Sequence, residues 1–514
     1  MSRGTTASTR RGCWRACSDS ALPAGSMKRD LAALAGREHD LLVVGGGIHG
    51  AAAAWDAAQR GLSVALVEVG DFGSGTSWNS LKTIHGGLRH LQWADLGALR
   101  ESVRERAALL RIAPELVHPL GFVLPVYGHG PRGREAMAAA LLASNLLSAR
   151  RNDGLPASHR IPRARMLSPR EVLACAPGVD PRGLTGGASW TDAQVSSSER
   201  LLVGFLHAAA EAGAVLASRV EVTGLRRNGS RIDGAHALDR EGGATLEVRG
   251  RIVLNATGPW SDRLFSSSGL AKPPSCLLRA LNLVLRRRLV DRQALGGRGD
   301  GRYLFLVPWR DGCIVGTGYE PSDEPSGDGG VQALLDEARR AFPWAGLERT
   351  DVSLVHRGLV PGRGGAAGLA SRGRIVDHEA EEGLPGLVSI EPVKYTTARA
   401  VAARAVDLVV RRLGAPAAPC RTDVTALPRA RSLSGPLAER ARCAVRDEMA
   451  LHLTDAVLRR LDLGTAGPPP PEVVEEVARA MASERGWDAA RVAREKADLR
   501  RAYAPDGSVR DGMP

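Results

Sequence analysis

The period of the hydrophobic positions changes several times along the 514 residues, and each change marks an element. Residues 41–44, LLVV, are a short unbroken apolar run, the pattern of a strand covered on both faces in a parallel sheet. The stretch AAAAWDAAQR (51–60) is rich in helix formers, and Gly61 stands where its C-terminal cap is expected. A second strand, SVALVE, closes this unit at Glu68. Residues 97–112 carry a helical charge pattern, and strand-like runs follow at 215–222, 251–256, 303–308 and 313–317. The apolar run Ala136 to Leu147, broken by Ser144 and Asn145, is too short to span a bilayer and reads as a packed helix. A helix starting near Thr396 runs to Gly414, and APAAPC (415–420) is a linker by composition. Beyond it, 437–462 and 471–502 read as two or more amphipathic helices, separated by GPPPP.

The turn between the first strand and its helix brings in chemistry. Gly45, Gly47 and Gly50 are spaced G-x-G-x-x-G, with Gly46 and Ile48 between them. The first glycine permits a tight turn, the second lets backbone approach a pyrophosphate, and the third lets helix pack on strand. Glu68 is placed to hydrogen-bond a ribose 2′-OH, which argues against NADP. FAD and NAD share this fingerprint, so it leaves both open.

Composition adds exclusions. The formal charge is +13, but all except five of the 69 basic residues are arginine and they are dispersed, so no nucleic-acid stripe is read. A weak attraction to anionic lipid remains compatible with that charge. Seven scattered cysteines give neither a metal-ligand spacing nor a disulfide framework, as expected in a reducing cytoplasm. Residues 1–26 read as a transit-type peptide or as an upstream start, with Met27 opening the functional chain.

The segment RIVLNATGPWSD (251–262) ends a strand in Ala256, Thr257 and Gly258, small residues that let backbone approach a cofactor. Five more ordered motifs accompany it: GTSWNSLKTIHGGLRHLQ (75–92), RIAPELVHPLGFVLP (111–125), FLVPWRDGCIVGT (305–317), VKYTTAR (393–399) and PCRTDVTALPRA (419–430). With AVRDEMALHLTDAVLRRLDLG (444–464), they make the chain resemble the FAD-dependent glycerol-3-phosphate dehydrogenases, within the D-amino-acid-oxidase-like flavoproteins, from about residue 28 to 505.

The resemblance implies an α/β fold: a Rossmann-like FAD-binding domain interleaved with a mixed-sheet substrate domain, plus a C-terminal α-helical domain. The expected division is a disordered extension or misassigned start at 1–39, an oxidoreductase domain at 40–414 and helices at 420–514. Within the middle part, FAD-binding pieces are expected at 40–130, 185–265 and 365–414, and substrate-binding pieces at 131–184 and 266–364. FAD is then held by the fingerprint, with Ser77, Lys82, His85, Gly86 and Gly87 lining its approach and Val220 at the adenine. Arg89 grips the substrate phosphate, and Arg372 lies near enough in sequence to assist. Lys394, Thr396 and Thr397, at a helix N-terminus, hold either that phosphate or the charge of a reduced flavin. His90, His85 and His356 are the candidate bases.

The implied reaction oxidises sn-glycerol 3-phosphate to dihydroxyacetone phosphate, with electrons passed to a membrane quinone. It places the protein in the cytoplasm or peripherally at the inner face of the cytoplasmic membrane, with the C-terminal helices docking there or packing a homodimer. Four departures bear on the substrate. His90 replaces a tyrosine, Pro392-Val393 a glycine pair, Val360 an arginine, and Arg279 and Asn282 a lysine and a histidine. They motivate a second reading, a flavoenzyme for another hydroxy acid, polyol or amine. A third is a flavin-binding protein without turnover.

Overall fold

A computed structural model describes residues 26–93, 95–270, 275–322, 328–363, 368–369, 373–391, 394–429 and 434–503. The segment from residue 26 to 39 is folded, not the extension expected. Asp30 caps the helix Leu31–Ala35, and Leu34 is fully buried, so the segment has a core of its own to join.

The strand Glu38–Val44 lies at the centre of the first sheet, parallel to Val64–Val67 on one side and Thr245–Asn255 on the other. Val215–Ala217 and Leu387–Glu391 extend this parallel layer at its two flanks. Leu41, Leu42 and Val43 are fully buried because both faces of the sheet are covered. On one face, the helix Ile48–Gln59 packs between Ser198–Glu211 and Ala398–Leu413, forming a core with Trp55 and Phe205.

The second sheet is mostly antiparallel. Its long strands include Leu277–Leu285, Gly312–Pro321, Tyr303–Trp309, Val117–Tyr127 and Leu184–Val195. Both Val117–Tyr127 and Leu184–Val195 pair here, so the expected hand-overs at 130 and 185 shift to before 117 and after 195. Pairing over eleven register positions fixed that crossing, and the local pattern of 117–127 did not assign it.

The C-terminal part is helical, and 437–462 is divided within itself. It comprises Leu437–Glu448, a break at Met449 in a left-handed conformation (φ 54°), and a wide turn at Asp455–Arg460. Helices Pro471–Arg485 and Ala489–Arg501 follow around a core that includes Leu453, Val477 and Met481. Buried ion pairs join this part to the first sheet's domain. Arg460 binds both oxygens of Asp71 (2.6 and 2.8 Å), and Arg200 binds both of Glu448 (2.7 and 2.8 Å). Among the described residues no helix is long and apolar enough to cross a membrane.

Candidate active site

A cavity of about 910 Å³ runs from the end of the strand Glu38–Val44 to Lys394 and lies between the two sheets' domains. At one end it has the shape of a dinucleotide cradle. Gly45 adopts φ +108°, and a Cβ there would stand 2.6 Å from the Ala256 carbonyl oxygen. A Cβ on Gly50 would fall 1.9 Å from the Gly45 carbonyl oxygen, so helix and turn meet only through glycine. Gly47 caps the helix without a side-chain hydrogen bond, leaving its positive end open to the cavity, and Ile48 N–H donates to Ser77 Oγ (3.0 Å).

Glu68 accepts from the N–H groups of Gly46 (2.6 Å) and Gly70 (2.8 Å). Burial pushes its carboxyl above the ordinary range, and those N–H groups oppose the shift. A carboxylate has about four acceptor sites, so lone pairs remain for ribose hydroxyls. Val220, Ala256, Thr257 and Gly258 line this end. Glycines that a Cβ would block, a helix end whose N-cap is a glycine and a buried acid together fit an adenine dinucleotide.

At the other end the wall is cationic and aromatic. His85, Gly87, Arg89, His90, Lys394 and Thr396 line it, with Trp190 and Phe305. Lys394 Nζ lies 2.7 Å from His90 Nε2. An ammonium can only donate, so that nitrogen accepts and the His90 ring is neutral. Thr396 Oγ1 accepts from the His85 backbone N–H (3.3 Å), while Thr397 is the N-cap of the helix Ala398–Leu413 and makes no side-chain cap bond. The His85 ring is half-exposed to the cavity, with Nδ1 3.3 Å from Asp192 Oδ2.

The family model described as "FAD dependent oxidoreductase" (DAO) matches residues 40–389, more than half of the chain. The chain belongs to the DAO family. Its cofactor is FAD, which resolves the choice the fingerprint left open. A second model, the C-terminal domain of alpha-glycerophosphate oxidase, matches residues 429–492. A glycerol-3-phosphate dehydrogenase from Synechocystis sp. is 33% identical over 76% of this chain and 73% of its own length. A glycerol-3-phosphate dehydrogenase from Mycobacterium leprae is 32% identical over 76% of this chain and 66% of its own. The match thus spans 66–73% of these relatives' own length. Among solved structures, the glycerol-3-phosphate dehydrogenase from Bacillus halodurans complexed with FAD shares the fold, with a TM-score of 0.72 at 22% identity. That match covers 95% of this chain and 99% of the other.

Several expected site residues of this flavoprotein stand elsewhere. Lys82 does not reach the cavity. Its Nζ is enclosed by Glu199 Oε1 (2.6 Å), Ser198 Oγ (2.8 Å) and the Trp78 carbonyl (2.9 Å), with no side-chain exposure. Burial opposes charge on Glu199, but the ammonium outweighs it and holds that carboxyl below its ordinary value. His356 is fully buried, both ring nitrogens meeting carbonyls (Ser80 at 3.2 Å, Thr465 at 2.9 Å). Burial, with Lys82 nearby, pushes it down to about 4, and the two carbonyls close it off from a substrate. Gly46, Gly50, Gly86 and Thr397 shape the wall from behind it. A Cβ on Gly86 would meet the Arg106 guanidinium at 2.1 Å. Arg372 and Pro392-Val393 lie outside the described residues.

The structure adds residues the sequence did not single out. Arg302 reaches the cavity from the turn before Tyr303–Trp309, binds Glu337 Oε1 (2.9 Å) and lies 5.6 Å from the Tyr319 ring centre. The glycine-rich run 296–301 ahead of a motif strand was the available signal. Asp192 also lines the cavity, and it sat unmarked within a long strand. Val360 and Asn282, two of the departures, are both in the wall.

Proposed function

We propose that this flavoprotein oxidises the secondary alcohol of sn-glycerol 3-phosphate to dihydroxyacetone phosphate. One observation carries the reading: the dinucleotide cradle shares a cavity with Arg89, Lys394 and the His85 imidazole. The names of the relatives support this substrate. FAD, when bound at Gly45, Gly47, Ser77, Glu68 and Val220, supplies the acceptor for a hydride. Arg89 offers a planar fork of donors to phosphate oxygens, and Lys394 adds a compact positive charge. His85 takes the hydroxyl proton, since His90 Nε2 is engaged by Lys394 and His356 is walled off.

The apolar Val360 in the wall favours a second reading, a different hydroxy acid, polyol or amine. Anaerobic titration of the yellow protein separates the two. Bleaching by glycerol 3-phosphate, and not by glycerol, lactate or glycine, is the expected result. Bleaching only by another donor sinks the first reading, and bleaching by none leaves a flavin-binding protein without turnover.

A membrane quinone as acceptor belongs to the same proposal. The helix Arg134–Leu147 contributes Met137 and Ala140 to the cavity wall, yet exposes Leu142 (63%) and Leu146 (71%) to solvent. Exposed Arg163 adjoins Ala164, which is bonded twice to Asn145 of this helix. Exposed leucines beside an arginine suit an anionic lipid surface, so this helix supports docking better than the C-terminal helices, whose cores are turned inward. In co-sedimentation with phosphatidylglycerol vesicles, Leu142→Ser/Leu146→Ser should lose binding while dye-linked turnover persists. Unchanged binding would rule out this face.

A further inference from the structure

We propose that Asp192 is a positioning residue that fixes the ring orientation and tautomer of His85. This rests on the proton-acceptor role proposed for His85. The strand Thr83–Ile84 pairs antiparallel with Leu184–Val195, Ile84 facing Ala193. The same register brings the next residues, His85 and Asp192, opposite each other. Asp192 is itself anchored from the far side, where Leu120 pairs with it in the strand Val117–Tyr127. One member of the pair therefore stands on a rigid sheet, and the other begins the loop that enters the cavity.

Each carboxylate oxygen of Asp192 has two donors. Oδ1 accepts from Gly86 N–H (2.7 Å) and Arg106 Nη1 (2.7 Å), and Oδ2 faces His85 Nδ1 and Trp190 Nε1, both at 3.3 Å. An ionised carboxylate can only accept, so the proton of a neutral His85 ring resides on Nδ1. The lone pair is then on Nε2, on the half-exposed side of the ring within the cavity. Burial opposes the charge on Asp192, but His85, Arg106 and the Gly86 N–H hold its carboxyl down at about 2. The acceptor thus persists across the working pH range.

In the reaction the substrate O–H bond breaks and an N–H bond forms at Nε2. The carbinol hydrogen leaves with its electron pair for the FAD oxidant, and the C–O bond becomes a carbonyl. Asp192 stays ionised throughout and balances the imidazolium. The other charged or titratable groups lining this end of the cavity include Arg89, His90, Arg302, Tyr319, Lys394 and Tyr395, with Arg106 behind Asp192.

The deciding measurement is the 15N spectrum of histidine-labelled, flavin-loaded protein at a pH where His85 is neutral, with His85→Gln identifying its signals. The expected result is Nδ1 protonated and Nε2 bare. Asp192→Asn keeps an oxygen for Gly86 and Arg106 but turns an amide donor toward Nδ1, so the proton moves to Nε2. Turnover should fall on the order of 100-fold with KM nearly unchanged, and the acid limb of the kcat/KM profile should move by about one pH unit to lower pH. A wild-type ring protonated on Nε2 overturns the proposal, as does an Asp192→Asn protein with unaltered tautomer and turnover. If the variant does not fold, the wild-type spectrum alone decides. Failure of glycerol 3-phosphate to reduce the flavin, with Nδ1 protonated, would remove the substrate reading and leave the pair standing.

Discussion

Three residues apart in sequence, Lys82 and His85 belong to two charge-rich regions built on opposite plans. Lys82 is part of a dry seam where the C-terminal helices meet the FAD-binding domain. Its neighbours there include the Arg460–Asp71 and Arg200–Glu448 pairs, all with side chains almost wholly inaccessible. His85, Arg89 and Lys394 instead line a cavity that solvent and ligand can enter. In the seam each of these three cations meets an anion, and desolvation offsets much of the attraction, so the pairs specify how the parts fit more than they add stability. In the cavity the charges line a space that solvent reaches. The lesson is that a rare lysine among arginines marks a special environment without telling which kind.

The largest expected effect is on the seam. Lys82→Met leaves Glu199 buried without its cation and should cost about 3–5 kcal/mol in denaturant unfolding. Lys82→Met/Glu199→Leu should recover most of that. A loss below about 1 kcal/mol for the single variant would mean that water reaches the pair and the contrast is false.

On the cavity side, Arg89→Ala should lower kcat/KM for glycerol 3-phosphate on the order of 100-fold, chiefly through KM, near 3 kcal/mol. Its unfolding free energy should stay within about 0.5 kcal/mol and its flavin content should be retained. Parallel loss of flavin and substrate affinity would place Arg89 in the wrong region.

The smallest effect probes a joint of the seam that titrates. His452 lies between Glu241 (2.8 Å) in one part and Glu495 (3.0 Å) in the other. Burial opposes its charge, but the two carboxylates lift it to about 9, above the unfolded value of 6.5. The stabilisation is therefore complete below about pH 6.5 and is lost as pH rises through 9. It should amount to roughly 1–2 kcal/mol after allowance for partial exposure. Unfolding curves at pH 6 and 10 should differ by that amount in the wild type and much less in His452→Gln.

The cradle was legible in sequence because its parts are local. Gly45, Gly47, Gly50 and Glu68 lie within one strand–helix–strand unit; Gly45, Gly50 and Glu68 meet neighbours from that unit or from the NATG strand end, and Gly47 meets Ser77 just beyond it. Lys82 and His356 were misread because their partners are distant in the chain: Glu199 is 117 residues from Lys82, and Thr465 is 109 from His356. No local period reveals whether such a side chain turns toward a ligand or toward another domain. The position of the break at Met449 escaped for a different reason. The apolar positions on either side both face one core, so helical periodicity continues across a left-handed residue.

Asp71 stands three residues beyond Glu68 and is gripped by both Arg459 and Arg460. Glu68, expected at the ribose, and the acid that holds the tail therefore share one short turn, so loss of the tail should be felt first at the adenosine. A chain cut before residue 437 would strand a buried carboxylate beside the nucleotide's anchor and emerge colourless. Lesions in a segment remote from the chemistry would then be recognised at the bench by missing pigment, long before anyone measured a rate.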